Sequence, residues 1–237
     1  MQAEKNRVLS LAIPFFNEEE NALQCIKDHV HALSKAGMRF EIIAVDNASV
    51  DKTGEILDKL KSGKVKVVHL RKNAGYGGGI MHGWLHASGT HLGFTCGDNE
   101  MRPEAVIRVF RKLAAENLQL CKGKRVSRGY SFFRKLESLV YNKIFCPIVL
   151  GYRLGDINGF PKVISRECFN ALHLRYKDSF FDTEMMVKAV RNGYRIGDVP
   201  VEYEKRQKGK SSVKFYIALE FLKNLVKFRK DILLGKT

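Results

Sequence analysis

The sequence predicts an α/β fold, a mainly parallel sheet flanked by helices. Three observations lead there. Strand-like and helical runs alternate four times through the first half. Each of those strand-like runs ends in polar residues, which would gather at one rim of such a sheet. And 237 residues suffice for one sizeable core, while no run reaches the roughly 18 apolar residues of a membrane-spanning helix.

Taken in order, "RVLSLAIPFF" reads as a strand and "NEEENALQCIKDHVHAL" as the helix after it. Asn17 is placed to be its N-cap, with Glu20 completing a capping box. "RFEIIAVDNA" and "TGEILDKLKS" form the second pair, and "KVKVVHLR" with "GGGIMHGWLHAS" the third. "THLGFTCGD" with "PEAVIRVFRKLAAE" makes the fourth. The strand ends then carry Asn17-Glu18, Asp46, Asn73 with its glycines, and Asp98 with Glu100. Beyond residue 120 the alternation loosens. "SFFRKLESLVYNKIF" looks helical, and "DINGFPKVISRECF" a turn and short strand. "DTEMMVKAVRNG" is a helix closed by Asn192-Gly193, "YRIGDVPVEYEKR" alternates as a strand, and a last helix starts near Val213. The expected organisation is one domain over 1–212 and a basic amphipathic helix over 213–237.

Charge narrows the partners. The 41 basic residues outnumber the 25 acidic ones, a net of +16, which suits a nucleic acid, an anionic membrane face or a phosphorylated substrate. The excess sits in "CKGKRVSRGYSFFRK" and beyond Lys205. No aromatic-studded basic module accompanies it, which disfavours nucleic acid. The five cysteines form no CxxC pair, as expected of free thiols in a reducing compartment. The opening residues lack the pattern of a signal peptide, so the expectation is a cytosolic protein. The seven histidines show no ligand spacing beyond His82 and His86, one helical turn apart.

Two stretches carry chemistry. "NAGYGGG" follows the third strand and breaks the G-x-G-x-x-G spacing, which disfavours a dinucleotide. It is either a flexible turn or backbone lying beneath a phosphate or sugar. "TCGDNEMRPE" places Asp98 and Glu100 around Asn99, either to cap the next helix or to offer hard oxygens to Mg²⁺ or Mn²⁺, with a diphosphate completing the shell.

In order, "IPFFNEEENA", "VDNASVDKT", "RKNAGYGGGI" and "TCGDNEMRPE" resemble the P-x-Y-N-E, V-D-D-G-S-x-D-x-T, N-x-G and D-x-D segments of the inverting family-2 glycosyltransferases. "DINGFPKVISREC", "FDTEMMVKAVRNGYRIGDVPVEY" and "RQKGKSS" resemble the downstream blocks of the dolichol- or polyprenyl-phosphate sugar synthases. The resemblance covers about residues 8 to 215 and implies a GT-A fold. It implies Pro14, Phe16 and Glu18 around a nucleotide base, Asp46 reading its edge, and Asn73 and Gly75 by the ribose and diphosphate. Asp98 matches the second aspartate of D-x-D and Glu100 a neighbouring metal ligand. Cys96 stands at the first aspartate, and Asn47-Ala48 replace the usual Asp-Gly. A thiol is a poor Mg²⁺ ligand, so Glu100 would restore the lost charge.

The implied reaction moves a hexose from a nucleoside-diphosphate sugar such as GDP-mannose or UDP-glucose to a polyprenyl phosphate, with inversion. A lipid phosphate is already an anion and needs cations, not a base. Arg125, Arg128, Arg206, Lys208 and Ser211 are the candidates to hold it, unless they are a solvated surface. Arg206 and Ser211 match the R-x-x-G-x-S loop of the resembling synthases. Asp98, Arg206 and Asp182 are the candidate catalytic residues. Asp182 matches the position of the base in relatives that use a saccharide hydroxyl, which keeps that acceptor open. A nucleotide-sugar-binding protein without turnover is the other rival. The last helix puts Phe215, Leu219, Leu222 and Val226 on one stripe among lysines and arginines. It either docks on its own sheet or lies on an anionic leaflet at the cytosolic membrane face, with room for a separate membrane subunit.

Overall fold

The structure, a computed structural model, describes residues 8–126, 155–203 and 216–234. In chain order the elements are β1 (Leu9–Phe15), α1 (Ala22–Lys35), β2 (Phe40–Asp46), α2 (Thr53–Asp58), β3 (Val65–His69), α3 (Tyr76–Leu85) and β4 (His91–Phe94). Then follow α4 (Pro103–Ala115), β5 (Leu120–Arg125), β6 (Lys162–Ser165), α5 (Arg166–Leu172), α6 (Phe181–Arg191), β7 (Ile196–Val201) and α7 (Tyr216–Leu233). The four predicted strand–helix units are all present. One seven-stranded sheet has the order β3-β2-β1-β4-β6-β5-β7, and β6 alone runs antiparallel to its neighbours β4 and β5.

β1 is an interior strand, between β2 and β4, and is almost wholly buried, as a strand covered on both faces must be. Leu9, Leu11, Ile13 and Phe15 point into one apolar layer with Ile26 and Leu33 of α1 and Val109 and Phe110 of α4. Ala12 points into the other, with Trp84 of α3, Phe94 of β4, Phe181 and Met185 of α6, and Leu225 and Phe228 of α7. The glycine run lies largely inside α3, and close packing explains it. A Cβ on Gly77 would sit 2.5 Å from the Phe181 Cβ, and one on Gly83 would sit 2.8 Å from the Ala12 Cβ. Gly75 differs, since its φ of 79° is a left-handed conformation that glycine adopts without strain.

Several expectations need correction. α1 begins at Ala22 with Asn21 as N-cap and no side-chain cap bond, not at Asn17 with Glu20. Asn17 has φ 54° and uses its Oδ1 to accept the Val50 N–H, so it joins two loops instead of capping a helix. Residues 121–125, read as part of a basic segment that meets an anion, belong to β5 between β6 and β7. The "REC" after β6 opens α5, capped by the Ser165 hydroxyl, which accepts the Cys168 N–H at 3.1 Å. The Asn192-Gly193 ending of α6 holds, with Gly193 at φ 70° and its N–H donating to the Val190 carbonyl. α7 docks through Leu225 and Phe228, each 1% exposed, whereas Val226 of the predicted stripe is 65% exposed. Phe215 lies outside the described residues, as do the side chains of Leu219 and Leu222.

Candidate active site

Strand order reverses between β1 and β4. The chain steps from β1 outward to β2 and β3, then returns to place β4 on the other side of β1. Loops leaving these strands on the carboxyl side diverge there and open a crevice, the usual ligand position in such sheets. Asn17-Glu18, Asp46-Asn47, Asn73 and Asp98-Glu100 all lie on that rim, as predicted.

The rim is held by side chains bonding across loops. The Asn17 N–H donates to the Ser49 hydroxyl (3.1 Å) and the Glu18 N–H to the Thr53 hydroxyl (2.8 Å). The Lys52 N–H donates to the Glu19 carboxylate (3.0 Å). Asn47, at the place of a family aspartate, reaches the third loop. Its amide donates to the Asn73 Oδ1 (3.3 Å) and the Gly75 carbonyl (3.1 Å), and its oxygen accepts the Ala74 N–H (2.8 Å). An amide can both donate and accept, so it ties the Asn73–Gly75 turn in a way a carboxylate could not. Asn17, Ala48 and Asn99 all have left-handed φ, so backbone strain concentrates at this rim.

Asp46, at the end of β2, is nearly buried. Its Oδ1 accepts the Ser49 N–H at 2.9 Å, and its Oδ2 lies 3.0 Å from the His69 Nδ1. Pro14 and Phe16 are half-buried on the neighbouring strand end.

At the end of β4, Asp98 and Glu100 do not cap α4, whose N-cap is Arg102 with no side-chain bond. The Asp98 Oδ1 accepts the Glu100 N–H (3.1 Å), which brings both acidic residues into one tight turn. Burial pushes the Cys96 thiol well above its usual pKa range, and the charges of Asp98, Asp182 and Glu100 push it further. Cys96 is therefore a neutral thiol. Among the described residues no three histidine, cysteine or acidic side chains converge as a preformed metal site. The donor set fits a hard divalent cation taken by Asp98 and Glu100 when a diphosphate supplies the remaining oxygens, with Cys96 outside the shell.

The floor behind this turn is charged yet closed. The Lys162 Nζ, 1% exposed, donates to the Asp182 Oδ1 at 2.6 Å and lies 5.4 Å from the Phe94 ring centroid. Burial lowers the Lys162 pKa, while Asp182 opposes that fall. Burial likewise raises the Tyr76 phenol, as do the charge of Asp182 and a hydrogen bond to it. Two residues along α6, Glu184 pairs with Lys188 (2.8 Å) and accepts the Arg175 and Tyr176 N–H groups. Lys122 is 1% exposed and donates to the Gly155 carbonyl and to Asp198, so it does not face an acceptor. The Arg125 Nε and Nη2 both donate to the Asp156 Oδ1, its backbone N–H donates to the Oδ2, and the guanidinium lies over the Tyr203 ring.

The structure thus brings Asp46, Asn73, Gly75, Asp98, Glu100 and Asp182 to one rim and its floor. Arg128, Arg206, Lys208 and Ser211 lie outside the described residues. Sequence reasoning missed Asn47 as a tether, Tyr76, Lys162 and His69. His69 had a findable signal. It closes β3 as Asp46 closes β2, and the two pair in register.

An open α/β sheet with polar strand ends meeting at a switch point defines a nucleotide-binding class of fold, here of GT-A type. The chain belongs to glycosyl transferase family 2, whose family model matches residues 10–175, and it is a glycosyltransferase. It is similar in fold to glucosyl-3-phosphoglycerate synthase from Mycobacterium tuberculosis. The complex of that protein with phosphoglyceric acid matches with a TM-score of 0.73 and 19% identity, over 95% of this chain and 81% of that one. Its complex with Mn²⁺, uridine diphosphate and phosphoglyceric acid matches at 0.70 and 20%, over 99% and 80%.

Proposed function

We propose that this chain transfers a hexose from a nucleoside-diphosphate sugar to a polyprenyl phosphate, with inversion and with Mg²⁺ or Mn²⁺ assisting. The carrying observation is the buried Lys162–Asp182 pair at 2.6 Å. A hydroxyl acceptor needs a base free to take its proton. Asp182, at the position where relatives keep that base, is closed in by Lys162 and Tyr76. An acceptor that arrives as an anion avoids the requirement.

In this reading the base lies against Pro14, Phe16, Glu18 and Asp46, and the Asn73–Gly75 turn lines the ribose and diphosphate. Asp98 and Glu100 would hold the cation, which supplies charge neutralisation of the leaving diphosphate. Solved complexes of the M. tuberculosis synthase with UDP and Mn²⁺, or UDP and Mg²⁺, support a donor and cation of this kind. A phosphate oxygen of the acceptor attacks the anomeric carbon from the face opposite the departing diphosphate. Arg128, Arg206, Lys208 and Ser211 are the proposed phosphate contacts, whereas Arg125 of the expected set is taken up by Asp156. α7 supports a lipid source for that phosphate. Val226, Leu233 and Leu234 are exposed beside exposed Lys223, Lys227 and Lys230. The protein would sit peripherally on the cytosolic membrane face, alone or with a membrane subunit.

The test is an acceptor panel of polyprenyl phosphate, phosphoglycerate and a neutral saccharide, with UDP- and GDP-sugars and Mn²⁺. Product on polyprenyl phosphate, with Arg206→Ala far more damaging than Asp182→Asn, is the expected result. Turnover of the saccharide alone, lost in Asp182→Asn, would overturn the proposal. Product only on phosphoglycerate would keep the donor half and replace the lipid.

A further inference from the structure

β2 and β3 are adjacent and parallel, and their register sets Asp46 beside His69. The imidazole is bound at both nitrogens. Its Nδ1 lies 3.0 Å from the Asp46 Oδ2, and its Nε2 lies 2.8 Å from the Asp58 Oδ1. Ionised carboxylates only accept, and a neutral imidazole has one N–H to give, so only the imidazolium satisfies both partners. With the Ser49 N–H on its other oxygen, the plane of the Asp46 carboxylate is fixed. Room for this arrangement comes from Gly54, where a Cβ would stand 2.8 Å from the Asp46 Oδ2 and 3.4 Å from the His69 Cε1.

We propose that His69 is a positioning residue for the nucleotide site, holding the Asp46 carboxylate oriented toward the base, so that nucleotide affinity falls when the imidazole loses its proton. The inference rests on the reading above, in which Asp46 contacts the base. The charged groups facing His69 are Asp46 from β2, Asp58 from α2, and Lys61, which pairs with Asp58 at 2.8 Å and draws off part of its charge. Asp58 first, and Asp46 next, raise the His69 pKa above its usual 6.5. The charged form therefore persists nearer neutrality than in an ordinary histidine. Below that titration Asp46 is clamped, and above it one of the two carboxylates loses its donor.

Calorimetric titration of UDP and GDP with Mn²⁺, over roughly pH 5–9 where imidazoles titrate, tests the idea on wild type, Asp58→Asn and His69→Gln. Asp58 is half-exposed, so its variant should fold. In wild type, affinity for whichever nucleotide binds should fall about tenfold as pH rises, the effect of losing one charged hydrogen bond. Asp58→Asn should move the midpoint to lower pH, matching a lowered His69 titration followed by NMR of the ring. His69→Gln should bind about tenfold more weakly at low pH and lack the inflection. Titration of the diphosphate itself is common to all three proteins and drops out of the comparison. Superimposable profiles would overturn the inference while leaving the nucleotide site intact. No binding of either nucleotide by wild type at any pH would overturn the site reading and the inference together.

Discussion

Ala48 has φ 64° at the place where the family carries glycine. A left-handed conformation costs an L-residue roughly 1–2 kcal/mol, part of which glycine gives back through its freer unfolded chain. Ala48→Gly should therefore raise stability by up to about 1 kcal/mol, read as a higher urea midpoint at unchanged slope. The Asp98 side chain is half-buried in a loop turn, and its Oδ1 accepts the Glu100 N–H. Asp98→Asn keeps that turn but removes a charge from the proposed cation site. Transfer should drop about 10²–10³-fold while the thermal midpoint stays put. Full activity of Asp98→Asn in the presence of a chelator would falsify the metal reading. Cys96→Asp bears on the same point. If the thiol merely fills the aspartate's place, the variant should bind Mn²⁺ at least as well, and a collapsed fold would show that Cys96 is there for packing.

Lys162 of β6 and Asp182 of α6 join two elements that the sequence does not visibly connect. Breaking a buried pair by removing one partner strands the other charge, typically at about 3–5 kcal/mol. Lys162→Met should cost about that much in chemical denaturation, and adding Asp182→Leu should recover most of it. A loss in Lys162→Met below about 1 kcal/mol would mean the pair is wetter than its 1% and 3% exposures indicate. α7 behaves differently on its two faces. Leu225 and Phe228 anchor it, and the Asn224 amide donates to Asp178 at 2.7 Å. Its outer lysines each add about 1 kcal/mol of attraction near an anionic leaflet. Replacing Lys223, Lys227 and Lys230 with alanine should weaken co-sedimentation with anionic vesicles on the order of 100-fold, and salt should do likewise. Equal sedimentation with neutral and anionic vesicles would argue against a membrane role.

Over the whole molecule, stability should respond to pH at the two ends of the β2–β3 strand pair. The Glu41 carboxylate accepts from the Ser10 hydroxyl and from the Ser88 N–H and hydroxyl, and it pairs with Lys66. Burial would raise its pKa, but Lys66 and these donors outweigh burial and hold it down to about 2. Its contribution is present above the unfolded value of 4.5 and lost as pH falls through about 2. His69 has the opposite sign. Its pKa is raised, so its contribution is complete below 6.5 and disappears as pH climbs through the folded value. The stability curve should therefore fall at both ends, and Glu41→Gln should flatten only the acid side. An unchanged acid limb in Glu41→Gln would assign the acid loss to other carboxylates.

The alternating apolar runs by themselves determined the parallel half of the sheet, because strand and helix periods are local properties of the chain. The same runs placed the polar strand ends on one rim, since parallel strands all finish on the same side. Ordered motifs were likewise enough to identify the family. Pairing between distant segments was not legible. "CKGKRV" looked like part of an anion-binding stretch because nothing nearby reveals that Asp198 and Asp156 will meet Lys122 and Arg125. Asn17 looked like a helix cap because its partner, the Val50 N–H, lies in another loop. The closure of Asp182 by Lys162, and the clamp of His69 on Asp46, likewise came only from the tertiary structure. Burial turns a charge into a pair or a cost, and burial is decided by what the rest of the chain packs against it.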